Sequence, residues 1–202
     1  MFEIMPESED DYFEVENMVR NSFWNIYRPG AYEHLIVHNL RCDESFISNL
    51  AYVIKKDDII VGHINYSKGK IDHGNEIEEA IILGPVSIDC DYQNRGLGSR
   101  LIEHTLDLAE NDGIPYVFVV GDENYYSRFG FEPASEYGIY LEGTDVNEEN
   151  PFFMIKIFDE SQIKGGTFKN PDVFDVDESE LDEFDKKFEH KEKLILEGQL
   201  GV

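Results

Sequence analysis

The stretch from Ile81 to Ile102 constrains this chain more than any other. Ile81-Ile82-Leu83-Gly84-Pro85-Val86-Ser87-Ile88 reads as a strand interrupted at Gly84-Pro85, where a bulge or kink is expected. A seven-residue connection then reaches Gly96-Leu97-Gly98-Ser99, which opens a helix. Leu97, Leu101, Thr105, Leu108 and Ala109 share one face of that helix, so it must pack on an apolar layer. A helix start also presents unpaired backbone N–H groups and a positive dipole end, which together suit an anion. Gly96 and Gly98 let that anion come close to the backbone, because no Cβ stands in its way.

The flanking segments alternate in kind. Phe2 to Met5 suits a short strand stopped by Pro6. Ser8 and Asp11 form a capping-box pattern ahead of a helix over 9–22, carrying Tyr12, Val15, Val19 and Phe23. Pro29-Gly30 breaks the chain, and a second helix follows over 31–41, with Leu35, Ile36 and Leu40 inward. Leu50 to Lys56 and Ile59 to Ser67 form a hairpin around Asp57-Asp58. After the 96–111 helix come a strand over 116–120, a helical turn over 124–129, and strands over 137–142 and 152–158. This order predicts an α/β (α+β) fold, a mixed central sheet flanked by helices.

A domain is expected over 1–158, followed by an acidic C-terminal extension over 159–202. Asp177 and Glu180 mark the start of a helix near 178–191, with Leu181, Phe184 and Phe188 as its apolar stripe. The stripe suits docking on the domain, and a partner-binding or homodimer helix is the alternative.

Charge narrows the partners. The chain holds 43 Asp and Glu against 17 Lys and Arg, a formal charge of −26. That disfavours nucleic acid and anionic membrane as partners, since both need basic surface. The first residues lack the basic start of a secretory signal, which implies a soluble, cytoplasmic protein. Between 71 and 155 the only bases are Arg95, Arg100 and Arg128. Arg95 and Arg100 flank the glycine loop, where they suit an anion or, alternatively, pair with surface acids.

The identity of the anion is narrowed by what the loop lacks. No Gly-Lys-Ser/Thr follows, so the Walker pattern is absent. Leu101 stands where a dinucleotide fingerprint needs its third glycine. What remains is Gln93-x-x-Gly96-x-Gly98 entering an amphipathic helix, with Tyr126-Ser127-Arg128-Phe129-Gly130-Phe131 downstream of the next strand. This pair of segments resembles the GCN5-related N-acetyltransferase (GNAT) family over about residues 1–158. The string from Gly121 to Phe131 looks most like its YhbS-like subgroup.

The resemblance implies a GNAT fold, acetyl-CoA as cosubstrate, a primary amine of a small molecule as acceptor, and no metal. It implies that the backbone of Val86 and Ile88 pairs with the pantetheine arm. The amides of Gln93, Asn94, Arg95, Gly96, Leu97, Gly98 and Ser99 would cradle the pyrophosphate. Tyr126 would be the acid that protonates the leaving thiolate, and Asn124, or Asp122, a substitute for a CoA-contacting asparagine whose usual position is Val119 here. Ile82 replaces the glutamate that serves as base in histone-modifying members, and Glu79 reads as an exposed strand residue. A CoA-binding sensor without turnover and an acetyltransferase of protein lysines or N-termini are the competing functions.

Family architecture places the acceptor by the first two helices and their connection. Trp24 and Tyr27 would form an apolar wall, and Arg28 would read an acidic group on the acceptor. The competing reading is an aromatic core junction with Arg28 bridged to Glu33. His34, His38 and Arg41 share a helical face at i, i+4 and i+7, expected to be solvated rather than a metal site. His63 is expected to be partly buried in its strand.

Overall fold

In the computed structural model, which describes residues 1–199, Phe2–Pro6 forms β1 and ends where proline removes a donor. The Ser8–Asp11 capping box is present and leads through a single 3₁₀ turn into α1, Tyr12–Phe23. Helix α2 spans Glu33–Leu40. Strands β2, Tyr52–Lys56, and β3, Ile59–Asp72, make the hairpin. Its turn residues Asp57 and Asp58 both have positive φ, 52° and 67°, the geometry that matches the twist of a two-residue hairpin. Strand β4 spans Ile77–Ile88, α3 Leu97–Asn111, β5 Tyr116–Val120 and α4 Glu123–Tyr126. Beyond them lie β6, Glu132–Pro133; β7, Ile139–Leu141; β8, Phe153–Ile157; β9, Gly166–Lys169; and α5, Glu178–Asp185.

These strands form one mixed sheet in the order β1-β2-β3-β4-β5-β8-β6, with β9 paired to both β3 and β7. All neighbours along the main order are antiparallel except β4 and β5, which are parallel. Helix α3 packs on one face, where Leu101, Ile102 and Ala109 join Ile64, Tyr66, Leu83 and Val119 in a buried cluster. The other face holds two apolar clusters. Val15, Met18 and Val19 of α1 meet Val37, Val53 and Ile60 in one. Ile82, Phe118, Phe153 and Phe168 anchor the second.

The tail departs from expectation in two respects. The boundary at 158 does not separate sheet from extension, because β9 hydrogen-bonds to β3 and Phe168 is fully buried beside Phe118. Helix α5 also ends at Asp185 instead of 191. Its expected cap is present: the Asp177 side chain accepts from the N–H groups of Ser179 and Glu180. Leu181, Phe184 and Phe188 dock on Leu35 of α2, so the stripe is used within the chain. Burial of each such side chain contributes about 1.5–3 kcal/mol.

The reading of His34, His38 and Arg41 as a solvated face is overturned, by docking of α5 over His34 and by acids at and before α1 for Arg41. His34 is fully buried with Nε2 2.9 Å from Asp185 Oδ1, and Arg20 Nε donates to the same oxygen. Arg41 bridges Glu7 and Glu16, at 2.6 and 2.7 Å, and His38 lies 2.8 Å from Glu16. His63 is completely rather than partly buried, with Nε2 3.3 Å from Glu7 Oε1. Charges this deep are tolerated because each finds an opposite partner.

Candidate active site

Strands β4 and β5 pair only through Ile81–Val117, Ile82–Phe118 and Leu83–Val119. Beyond Leu83 the two strands part, while β4 continues to pair with β3 as far as Ile88. The parting coincides with a bulge: Ile64 faces Val86, but Tyr66 faces Leu83, leaving one extra residue on β4. Gly84 within it takes φ +134°, which accounts for a glycine there.

Which backbone groups face the gap follows from alternation. Asp89 N–H donates to Val61 C=O, so Asp89 and Ser87 turn their polar groups toward β3. Those of Val86 and Ile88 therefore point the other way, toward the opening beside β5. The Ile88 carbonyl accepts from Ser22 Oγ at 3.0 Å and from Gln93 Nε2 at 3.1 Å. Gln93 thus braces the end of the strand as well as starting the loop.

The loop then turns sharply. Asn94 and Gly96 take positive φ, 57° and 74°, and Gly96 is the cap of α3. The first helical bond runs from Arg100 N–H to Gly96 C=O. The N–H groups of Leu97, Gly98 and Ser99 precede it and are the orphan donors of a fifteen-residue helix. Arg95 is exposed, donates to Asp91 C=O and lies over the Tyr92 ring. Arg100 reaches outward to Phe2 C=O at 3.5 Å.

Tyr126 stands at the end of β5, buried against Gly121 and Phe131. Burial, with the Tyr125 and Tyr27 hydroxyls nearby, pushes its pKa well above the ordinary phenol value. It is therefore a protonated donor at neutral pH. Tyr125 is a site residue that motif reasoning set aside as structural. Its hydroxyl would lie 2.8 Å from a Cβ added to Gly98, so it sits on the first turn of α3. Arg128 covers its ring at 4.3 Å and donates to its carbonyl. The adjacent tyrosines at 125 and 126 are the signal: their rings meet edge to face at 5.1 Å, and the first of them reaches the start of α3.

The remaining candidates divide. Asn124 is held within its own turn by Asp122 Oδ1 and is exposed. Tyr27 is half-exposed beside Phe23 and influences Tyr126, so it belongs to the opening. Trp24 is instead engaged by the tail: its Nε1 donates to Glu192 C=O and its ring carries the Arg20 guanidinium at 4.0 Å. Arg28 pairs with Glu178 at 2.6 Å, not with Glu33. Glu33 instead accepts from Tyr32 N–H, and its burial raises its pKa. Glu79 is exposed and paired with Lys68. Among the described residues no three His, Cys, Asp or Glu side chains converge in a way that could hold a metal ion. Among the described residues no helix is long and apolar enough to cross a membrane.

Known proteins match this architecture. Residues 48–133 match the acetyltransferase (GNAT) domain model. The uncharacterized N-acetyltransferase YjhQ of Escherichia coli K12 is 32% identical over 100 residues, covering 50% of this chain and 55% of YjhQ. The chain thus spans about half the length of that relative. YhbS of the same organism is 28% identical over 125 residues, covering 62% of this chain and 70% of YhbS. Its crystal structure, in complex with CoA, aligns with TM-score 0.74 at 23% identity over 87% of this chain and 92% of that one. A GNAT acetyltransferase from Brucella melitensis, in complex with acetyl-CoA, gives 0.70 at 24% over 86% and 98%. The splayed strands and the glycine-capped helix agree with these matches: the chain has the GNAT fold, and its residues 48–133 are similar to the acetyltransferase domain of that family.

Proposed function

We propose that this protein transfers the acetyl group of acetyl-CoA to a primary amine, by direct attack of the amine on the thioester. The observation that carries the reading is the gap between β4 and β5. One wall offers the outward-facing backbone of Val86 and Ile88, and its end opens onto the free amides of α3. An extended amide chain ending in a pyrophosphate fits that sequence of groups: strand-like pairing first, then an anion at a helix start. Tyr126 stands across the gap as a protonated phenol, suited to hand its proton to a departing thiolate.

The acceptor is proposed to be a small molecule. Tyr27 flanks the opening, while the segment over 189–199 lies across Trp24 and Asn25. That segment occupies one flank of the turn beside the opening, which favours a small amine over a folded protein surface. The net charge of −26 would draw a cationic amine, faster at low salt. The test is release of free CoA thiol with a panel of amines. Amine-dependent release supports acetyl transfer, and tight acetyl-CoA binding with no release would support a sensor. Label appearing in extract protein rather than in small molecules would favour protein acetylation.

A further inference from the structure

Strand β3 carries three polar side chains at alternate positions, His63, Asn65 and Ser67, and all three are buried. The intervening Ile64 and Tyr66 pack toward α3, where the Tyr66 hydroxyl meets Thr105 Oγ1 at 2.8 Å. The polar trio therefore faces the opposite side, the side of α1. Among the described residues no hydrogen-bond partner is found for either amide atom of Asn65, for Ser67 Oγ or for His63 Nδ1, whereas His63 Nε2 faces Glu7. Leaving one such group unpaired costs about 1–3 kcal/mol. Four such atoms in one row of three side chains call for ordered water, which characteristically binds buried polar groups of this kind.

The row lies at a particular place. Asn65 falls between the registered pairs Ile64–Val86 and Tyr66–Leu83, so it faces the Gly84-Pro85 bulge. Ser67 faces Ile82, one residue before β4 leaves β5. Asn65 is thus one strand spacing, about 4.8 Å, from the vertex of the gap. That is a distance which one or two waters can bridge. Ile82 offers no carboxylate at this vertex, and Glu79 is turned to solvent. Yet an alkylammonium must lose a proton before it can attack.

We propose that Asn65 and Ser67 are positioning residues that hold the water which accepts this proton. The inference rests on the acetyl-transfer reading above and supplies its missing base. The water takes one proton from the ammonium and relays it to solvent. The freed nitrogen lone pair bonds to the carbonyl carbon, the C–S bond breaks, and sulfur leaves with its electron pair to be protonated by Tyr126; the second nitrogen proton, shed as the amide forms, returns the phenolate to phenol through solvent. His63 continues the same row toward Glu7, and from there charged groups run through Arg41 and Glu16 to the half-exposed His38.

The experiment compares Asn65→Leu, Ser67→Ala and Ser67→Thr on two acceptors. One is an alkylamine, charged at neutral pH, and the other a weakly basic arylamine that is already neutral. Asn65→Leu and Ser67→Ala should lower kcat on the alkylamine about 10- to 100-fold, with KM for acetyl-CoA unchanged. Turnover of the arylamine should fall no more than about threefold, and Ser67→Thr should retain activity on both. Undiminished kcat on the alkylamine, or equal losses on both amines, would overturn the inference. Ser67→Ala carries the test alone if Asn65→Leu does not fold. If the wild type releases no CoA with any amine, the acetyl-transfer reading fails first and takes this inference with it.

Discussion

Arg20 Nε and Asp185 Oδ1 lie 2.8 Å apart, joining α1 to α5 across 165 residues of sequence. Both side chains are largely buried, and His34 shares the same oxygen. Among the described residues Asp185 is the only acid paired with Arg20 or His34, so its removal strands two groups inside the protein. Asp185→Ala should destabilise the fold by about 3–5 kcal/mol, read as the shift in urea midpoint at constant slope. A loss below about 1 kcal/mol would mean that the pair is incidental.

The same contact gives acid sensitivity. Burial pushes the His34 pKa below its ordinary 6.5, outweighing the hydrogen bond to Asp185. A depressed folded pKa means that the unfolded chain binds the proton more readily. Stability from His34 is then fully present above pH 6.5 and is lost as pH falls below it. Burial opposes ionisation of Asp185, but the hydrogen bonds from His34 and Arg20 prevail and hold its pKa below 3.8, so its own contribution disappears only at lower pH. Urea melts should therefore weaken between pH 6.5 and 5 in the wild type. His34→Gln should flatten that slope, and an unaltered slope would remove His34 as its source.

Tyr126→Phe should reduce kcat by about 100-fold while acetyl-CoA affinity stays nearly constant. Because burial raises the phenol pKa, kcat should show no loss from this group below pH 10. Unchanged turnover in the variant would dismiss Tyr126 as the acid.

Gly98→Ala places a methyl 2.8 Å from the Tyr125 hydroxyl at the first turn of α3. CoA affinity should fall about tenfold, equivalent to about 1.4 kcal/mol by calorimetry. Adding Tyr125→Phe should recover part of that loss by removing the crowding oxygen. Equal affinity in all three proteins would separate this loop from the donor.

Asn25 ties the tail to the α1–α2 turn. It takes φ +59°, its Oδ1 accepts from the N–H groups of Gly30 and Leu194, and its Nδ2 donates to Glu192 C=O. Asn25→Ala should speed proteolysis beyond residue 189 and red-shift the emission of Trp24, the single tryptophan. Asn25→Gly keeps the backbone geometry but loses the bonds, so it should resemble Ala if the side chain is what matters. Protection equal to the wild type in both would show that the segment is held elsewhere.

The donor side was legible because its determinants are local. Gly84, Gly96 and Gly98 report backbone shape, the apolar period of α3 reports its packed face, and both are written in consecutive residues. Expectations of helix and strand followed the same logic and differ from the structure mainly at ends, as at α5. The sheet strand β9 escaped because Gly166–Lys169 is short and only Phe168 is apolar within it. Nothing local says that β3 and β7 will accept it.

The other side of the site depended on contacts between distant segments. His63, Asn65 and Ser67 alternate with apolar residues, the pattern of a strand with one wet face, yet α1 covers that face. His34 and Arg41 read as surface groups because their partners, Asp185 and Glu7, lie 151 and 34 residues away. Trp24 and Arg28 read as acceptor groups until the tail folds back on them. By itself, then, the sequence determined the sheet, the glycine loop and its anion-accepting helix, because hydrophobic period and backbone freedom act over a few residues. Only the tertiary structure decided which polar groups are buried and which cations are paired, since burial and Coulomb energy depend on what the fold brings alongside.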